Sequence, residues 1–457
     1  MRLSHALRIQ PGESISFSGS GGKTSALITL ARELENPVIA TTTTHFSKEQ
    51  LDFADRIIYS KDVTSANKFV DSIAPGVTLI IGEEADNRRV SGPPAELLEE
   101  IYHHARSRGI NLLIEADGSR QRALKAPAAH EPVIPQYIDQ AVVVAGLSAL
   151  EKPLSSQVVH RVVQFVKLSK MKEGEAITLE AISRVLSDDS GGLKGIPTSA
   201  RRICLLNQAD EDDLKAKAKR LASSLKKSYH SVVITSLLLN QVPTSEKESK
   251  KPLKDGYKVY GVHEPVTGIV LAAGGSQRMG KPKQLLAWKG TSLIRHTVST
   301  VINSGLDQVI VIVGASKDHI RDELNDLPIE IISNPEWEAG QSTSVQAAIS
   351  AISPNSGSAI FFLVDQPYLS QSIIHSMVER HAESLAPIIA PIIAGQRGNP
   401  VLFDRITFQD FHSLQGDVGG RKLFSRYQVS WLEWFDEALL LDIDTDEDYQ
   451  QLLFDSG

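Results

Sequence analysis

Short apolar runs rich in branched residues alternate with amphipathic stretches along almost the whole sequence, and few folds accommodate that alternation. A strand-length apolar run followed by a helical stretch, repeated many times, is the pattern of parallel α/β sheets. In the first half, residues 14–18, 38–42, 77–81, 112–115, 141–145, 202–206 and 232–236 read as strands. Residues 95–108 and 212–227 are amphipathic helical stretches lying between them. A second alternating series begins at Gly268 and runs to the C-terminus. Between the two series lies PTSEKESKKPLKDGYK at 243–258, polar, Lys-rich and carrying two prolines. Such a composition reads as a solvated linker. With 457 residues the chain is long enough for two or three domains. The expected division is 1–242, a linker over 243–266, and 267–457.

Charge and cysteine usage exclude several function classes. A net charge of −7 without a sustained basic stripe argues against a nucleic-acid or anionic-membrane partner, so bound anions should be small ones held in pockets. The single cysteine, Cys204, sits in an apolar strand run and excludes an intrachain disulfide framework or a Cys-rich zinc site. No stretch resembles a signal peptide or reaches membrane-spanning length, so the expected location is cytoplasmic.

The run GSGGKTS at 19–25 follows a strand pattern and opens a helical one, the context a phosphate-binding loop requires. Gly19, Gly21 and Gly22 let backbone N–H groups close around a phosphate, and the helix N-terminus adds partial positive charge. Lys23 is placed to reach the β- and γ-phosphates, and the Thr24 hydroxyl to ligate Mg²⁺. The strict P-loop pattern wants glycine where this chain has Phe17. Downstream, LLIEADG at 112–118 is an apolar strand ending in acids, of which Asp117 is a candidate metal ligand through water. The run Asn207-Gln208-Ala209-Asp210 resembles the NKxD box that reads guanine in GTPases, with Gln208 replacing the lysine. Asn207 and Asp210 are therefore candidate base contacts, with GTP or ATP left open as the nucleotide.

A second glycine-rich loop, LAAGGSQRMGKPKQLL at 271–286, also follows a strand but enters no helix directly. The next helical pattern begins only near Ser292. A triphosphate here would be wrapped by Leu271, Ala272, Ala273, Gly274, Gly275 and Ser276, with Arg278 and Lys283 supplying charge. Fixed cations suit a reaction whose leaving group is pyrophosphate, because negative charge builds on the departing phosphate. Asp365, emerging from the apolar run AIFFLVD at 359–365, is placed where open α/β sheets bind ligands and is the candidate Mg²⁺ ligand. Gly340, Ser342 and Ser344 open a helix and are candidate base or ribose contacts. The elements RGNP at 397–400, GDVGGR at 416–421 and DIDTDED at 442–448 add Arg397, Asn399, Asp417, Arg421 and Asp444 as candidates.

Two family resemblances attach to these motifs. GSGGKTS, TTTTH at 41–45, EADGSR at 115–120 and LKAPAAHEPVIP at 124–135 resemble the YqeC-type accessory proteins of selenium-dependent molybdenum hydroxylases, over roughly residues 1–240. The second loop, DQP around Asp365, GxSxS at 340–344 and the three late elements resemble the nucleotidyltransferases that activate the molybdenum cofactor. Among these the cytidylyltransferases are most similar: they read LAAG where guanylyl-transferring relatives usually read LAGG, so Ala273 implies CTP. Gly420 and Asp446 depart from the family's usual Ala and Pro. The resemblances imply an α/β chain: a P-loop NTPase-like parallel-sheet domain, then a Rossmann-like (GT-A-like) nucleotidyltransferase domain. The implied reaction is CMP transfer from CTP to molybdenum-bearing molybdopterin with release of pyrophosphate. Arg278, Lys283 and Asp365 would be catalytic; Arg397, Asn399, Asp417 and Arg421 would bind substrate; Asp365 and Asp444 would hold metal. A molybdenum hydroxylase is the implied transient partner. A sugar phosphate as acceptor, GTP as donor, and a purely switching role for the first half remain as alternatives.

Overall fold

The computed structural model describes residues 1–237, 257–276 and 278–455. The chain divides into two compact units, Met1–His263 and Glu264–Gly457. Both are mixed α/β bodies built on largely parallel sheets. No helix among the described residues is long and apolar enough to cross a membrane.

The first unit is built on nine strands: β1 (Ser14–Gly19), β2 (Val38–Thr42), β3 (Arg56–Tyr59), β4 (Val77–Ile81), β5 (Asn111–Glu115), β6 (Gln140–Gly146), β7 (Arg201–Asn207), β8 (Ser231–Leu237) and β9 (Tyr257–His263). Their order is β9-β8-β7-β6-β1-β5-β2-β4-β3. Central strands such as β5 and β6 are buried along their whole length, which is why they read as continuous apolar runs and not as alternating ones. All pairings but one are parallel; β9 closes the edge antiparallel to β8. That edge corrects the linker expected over 243–266, because Tyr257–His263 belongs to the first unit's sheet. The part of that linker over 243–256 lies outside the described residues.

The second unit contains β10 (Val266–Ala272), β11 (Gln308–Val313), β12 (Glu330–Ser333), β13 (Ser358–Leu363), β14 (Ile388–Ile393), β15 (Gln396–Arg397), β16 (Val401–Asp404) and β17 (Val429–Glu433). The order is β12-β11-β10-β13-β16-β14-β15, with β17 pairing β14. The chain leaves β10 on one side to β11 and β12, then returns to β13 on the other side. That reversal opens a crevice at the carboxyl ends of β10 and β13, the place where open sheets take ligands. One apolar cluster, including Val270, Val298, Val311, Phe362 and Ile374, fills one face of this sheet. Another, including Ile269, Ile310, Phe361, Phe403 and Phe411, fills the other.

Candidate functional sites

In the second unit the glycine loop leaves β10 with Ala272 and Ala273 buried, Leu271 half-buried, and Gly274 and Gly275 exposed. Its shape is set by a residue the sequence alone did not single out. Gln284 is buried, and its Nε2 donates to the Gly274 carbonyl at 2.7 Å and the Ala272 carbonyl at 3.3 Å. The Ser276 hydroxyl accepts the Lys283 N–H at 3.1 Å, so the loop closes on the turn that carries Lys283. Trp337 packs against Gly275 and Gly314 and forms an aromatic wall beside the loop. The helix Leu293–Asn303 starts after a short hairpin, as the late helical pattern implied.

The charges converge at one point. Lys283 Nζ lies 2.6 Å from Asp365 Oδ2 and 3.0 Å from Asp444 Oδ1, and also donates to the Ile443 carbonyl at 3.3 Å. The Ile443 N–H bonds back to the Asp365 carbonyl at 2.9 Å, which ties the 442–448 segment to the end of β13. Burial works to lower the Lys283 pKa, but Asp365 and Asp444 outweigh it and hold the ammonium charged. Asp442, bonded to Gln366, is pushed up by burial and by Asp365 and Asp444 nearby. The other Asp365 oxygen, Oδ1, is buried and has no hydrogen-bond partner among the described residues. Arg278 is mostly exposed, with a guanidinium nitrogen 3.4 Å from Asp444 Oδ2.

The remaining candidates fall in two neighbouring groups. Gly340 lies at φ +114°, and the Gln341 and Ser342 N–H groups donate to the Asp417 carboxylate at 3.4 Å and the Gly416 carbonyl at 3.2 Å. Ser342 and Ser344 are both buried, and the Ser344 hydroxyl accepts from Asn334 at 2.9 Å, so Ser344 braces this turn. Arg397 stacks over Phe424 at 4.8 Å, and burial together with nearby Arg421 lowers its pKa. Asn399 is half-buried just before Pro400, two residues on from Arg397.

In the first unit β1 runs on through Phe17, which is fully buried, so the turn is only Gly19–Gly22 before the helix Lys23–Glu33. That explains the glycine missing from the strict pattern: position 17 is core strand. Gly19, Gly21 and Gly22 all have positive φ, at 90°, 81° and 130°. Lys23, buried, donates to the Gly19 carbonyl at 2.9 Å and lies 3.3 Å from Asp117 and 3.9 Å from Glu115. The Thr24 hydroxyl donates to Glu115 at 2.8 Å, so Glu115 and not Asp117 stands beside the candidate metal-ligating hydroxyl. Burial raises the Glu115 pKa against the opposing pull of Lys23 and Thr24. Asp117 instead accepts from Lys125 at 2.8 Å and from the Gly19 N–H at 3.2 Å. Lys125, almost fully buried, also pairs with Glu131 at 2.7 Å, which Arg161 holds at 2.8 Å. This chain of charges gives the LKAPAAHEP string a structural purpose that its sequence does not declare.

Asn207 sits at the end of β7, its amide donating to the Gly21 carbonyl at 2.8 Å and accepting from the Leu237 N–H at 2.8 Å. It joins the glycine loop to the strand ends, while Asp210 bonds the Ser236 hydroxyl.

Fold and charge arrangement together describe a nucleotidyltransferase in the second unit, and comparison with known proteins agrees. Residues 268–430 match the family described as MobA-like NTP transferase domain, and residues 15–163 match the YqeC protein family. The second region is similar to the purine catabolism protein PucB of Bacillus subtilis, 31% identical, covering 40% of this chain and 94% of that protein. It is likewise 28% identical to nicotine blue oxidoreductase of Paenarthrobacter nicotinovorans, over 41% of this chain and 96% of that protein. The first region is 29% identical to protein YqeC of Escherichia coli, over 42% of this chain and 75% of that protein. The chain is a fusion of a YqeC family domain with a MobA-like NTP transferase domain, and belongs to the MobA-like transferases through its second unit.

Proposed function

We propose that the second unit transfers a cytidylyl group from CTP to the terminal phosphate of molybdenum-bearing molybdopterin, releasing pyrophosphate. The observation that carries this is the Lys283 ammonium held between Asp365 and Asp444 beside a glycine loop. A phosphate oxygen of the acceptor attacks the α-phosphorus, a new P–O bond forms, and the bond to the β-phosphate oxygen breaks with its electrons leaving on pyrophosphate. No protein nucleophile is required; alignment and charge neutralisation carry the acceleration. Gly274, Gly275 and Ser276 would bind the phosphates, with Lys283 and Arg278 neutralising the leaving group. Arg397, Asn399, Asp417 and Arg421 would bind the acceptor. Gly340, Ser342 and Ala273 would border the nucleoside.

Asp365 Oδ1, a buried carboxylate oxygen with no hydrogen-bond partner among the described residues, is the donor a divalent cation would take, with Asp444 as second ligand in competition with the Lys283 ammonium. Mg²⁺ held there would neutralise phosphate charge. Among the described residues no group of three or more His, Cys, Asp or Glu is arranged to hold a metal, so phosphate oxygens would complete its coordination.

The first unit, in this proposal, binds a nucleoside triphosphate on Gly19–Thr24 and couples it to maturation of a molybdenum hydroxylase. Lys23, Thr24, Glu115 and Asn207 support it, all converging on one loop. The test is pyrophosphate release by the purified chain with Mg²⁺, each of the four NTPs, and molybdopterin or sugar phosphates as acceptor. CTP with molybdenum-loaded molybdopterin should give the fastest release; a sugar phosphate preferred over molybdopterin would reassign the acceptor.

A further inference from the structure

The loop Gly118–Ala123 is fastened onto the glycine loop of the first unit. The Ser20 hydroxyl donates to the Arg122 carbonyl, and the Gly146 N–H donates to the Ala123 carbonyl at 2.9 Å. A Cβ at Gly21 would stand 2.6 Å from that same Ala123 oxygen, so the two loops touch backbone to backbone. Within the fastened loop Arg120 and Gln121 both take left-handed backbone conformations, at φ 50° and 58°. Two consecutive non-glycine residues in that region are strained and persist only where surrounding contacts impose them.

The neighbouring charges are unequally matched. Lys23 is paired with Asp117 and Glu115, Lys125 with Asp117 and Glu131, and Arg161 with Glu131. The guanidinium groups of Arg120 and Arg122 have no hydrogen-bond or ion-pair partner among the described residues. Arg120 reaches far enough over this cluster to disfavour the charged form of His160, together with burial, Arg161 and Lys125. Two uncompensated cations thus stand on a strained loop welded to a glycine turn. An arginine without a carboxylate is suited to a phosphate, whose geometry its fork matches.

We infer that Arg120 and Arg122 bind the terminal phosphate of a nucleoside triphosphate seated on Gly19–Thr24. The inference rests on the nucleotide reading of that loop.

The test uses the full chain, and the share of nucleotide binding that Lys23→Ala removes is assigned to the first unit. Titrations with fluorescent GTP, GDP, ATP and ADP derivatives are run on the parent chain and on Arg120→Ala, Arg122→Ala, Arg120→Lys and Lys23→Ala, with folding checked by circular dichroism. The expected result is a ten- to hundredfold loss of triphosphate affinity in the arginine-to-alanine variants, unchanged diphosphate affinity, and partial recovery in Arg120→Lys. Equal losses for di- and triphosphates, or none while Lys23→Ala weakens binding, would overturn the inference and leave the nucleotide reading standing. Binding indifferent to Lys23→Ala as well would remove both.

Discussion

Lys283 stands between the two carboxylates proposed as cation ligands, so its ammonium and a divalent cation compete for them. Replacing Lys283 by methionine keeps the length and apolar stem and removes only the charge. At 2.6 Å from Asp365 the gross attraction is about 6 kcal/mol at an effective dielectric near ~20. Desolvation of the pair takes back most of this, and both side chains are 20% exposed, leaving a net of about 1.5–3 kcal/mol. Without the ammonium, Asp365, Asp442 and Asp444 face one another with only the exposed Arg278, 3.4 Å from Asp444, as counter-charge. Mn²⁺ should therefore bind Lys283→Met without nucleotide roughly 10–150-fold more tightly than the parent chain. The same variant should transfer nucleotide about 10²–10³-fold more slowly, having lost its leaving-group cation. Titration calorimetry or electron paramagnetic resonance with Mn²⁺ reads the first effect. An unchanged or weaker Mn²⁺ affinity would show that Lys283 and the cation do not compete, and the site as drawn would be wrong.

Asp365→Asn should reduce nucleotidyl transfer by about 10²–10³-fold while shifting the unfolding midpoint little, because Lys283 keeps Asp444 as partner; steady-state pyrophosphate release and urea unfolding check both halves. Gly340→Ala forces a Cβ into a backbone at φ +114° and to 2.5 Å from Gly416, so the second unit should lose at least about 1–3 kcal/mol of stability. All four tryptophans lie in that unit, so tryptophan fluorescence during urea unfolding isolates the effect. His160 is lowered to about 4 by burial, Arg161, Lys125 and Arg120, so its contribution is intact above its ordinary 6.5 and declines as pH falls from there toward 4. His160→Gln should flatten that part of the acid decline, followed by circular dichroism in urea; parallel curves for variant and parent would contradict it.

The parallel α/β architecture was legible because β2, β5 and β6 are buried along their whole length around apolar runs, as is the ICLL stretch of β7, while β1 is buried although serines alternate with its Ile15 and Phe17. Two edge strands escaped notice for the opposite reason. β3 alternates half-buried and exposed positions over four residues, and β9 follows directly on a Lys-rich segment while keeping several residues half-exposed. Lys283, Asp365 and Asp444, which the fold brings together, were legible as candidates because each lies in a recognisable motif. Gln284 and Trp337 could not, since their roles come from backbone carbonyls and glycines that reach them only in the folded unit. Glu115 is a similar case: the acids at 115 and 117 look alike in sequence, and only the fold puts the Thr24 hydroxyl against one and Lys125 against the other.

The central claim is cytidylyl transfer by the second unit, and one competition measures it. The full chain is given equimolar CTP and GTP with Mg²⁺ and molybdenum-loaded molybdopterin, and the products are resolved by mass spectrometry. The account predicts the cytosine dinucleotide as the dominant product, with one pyrophosphate released per dinucleotide and about 10²–10³-fold slower release from the Asp365→Asn chain. A dominant guanine dinucleotide, or no dinucleotide while both nucleotides remain intact, would contradict it.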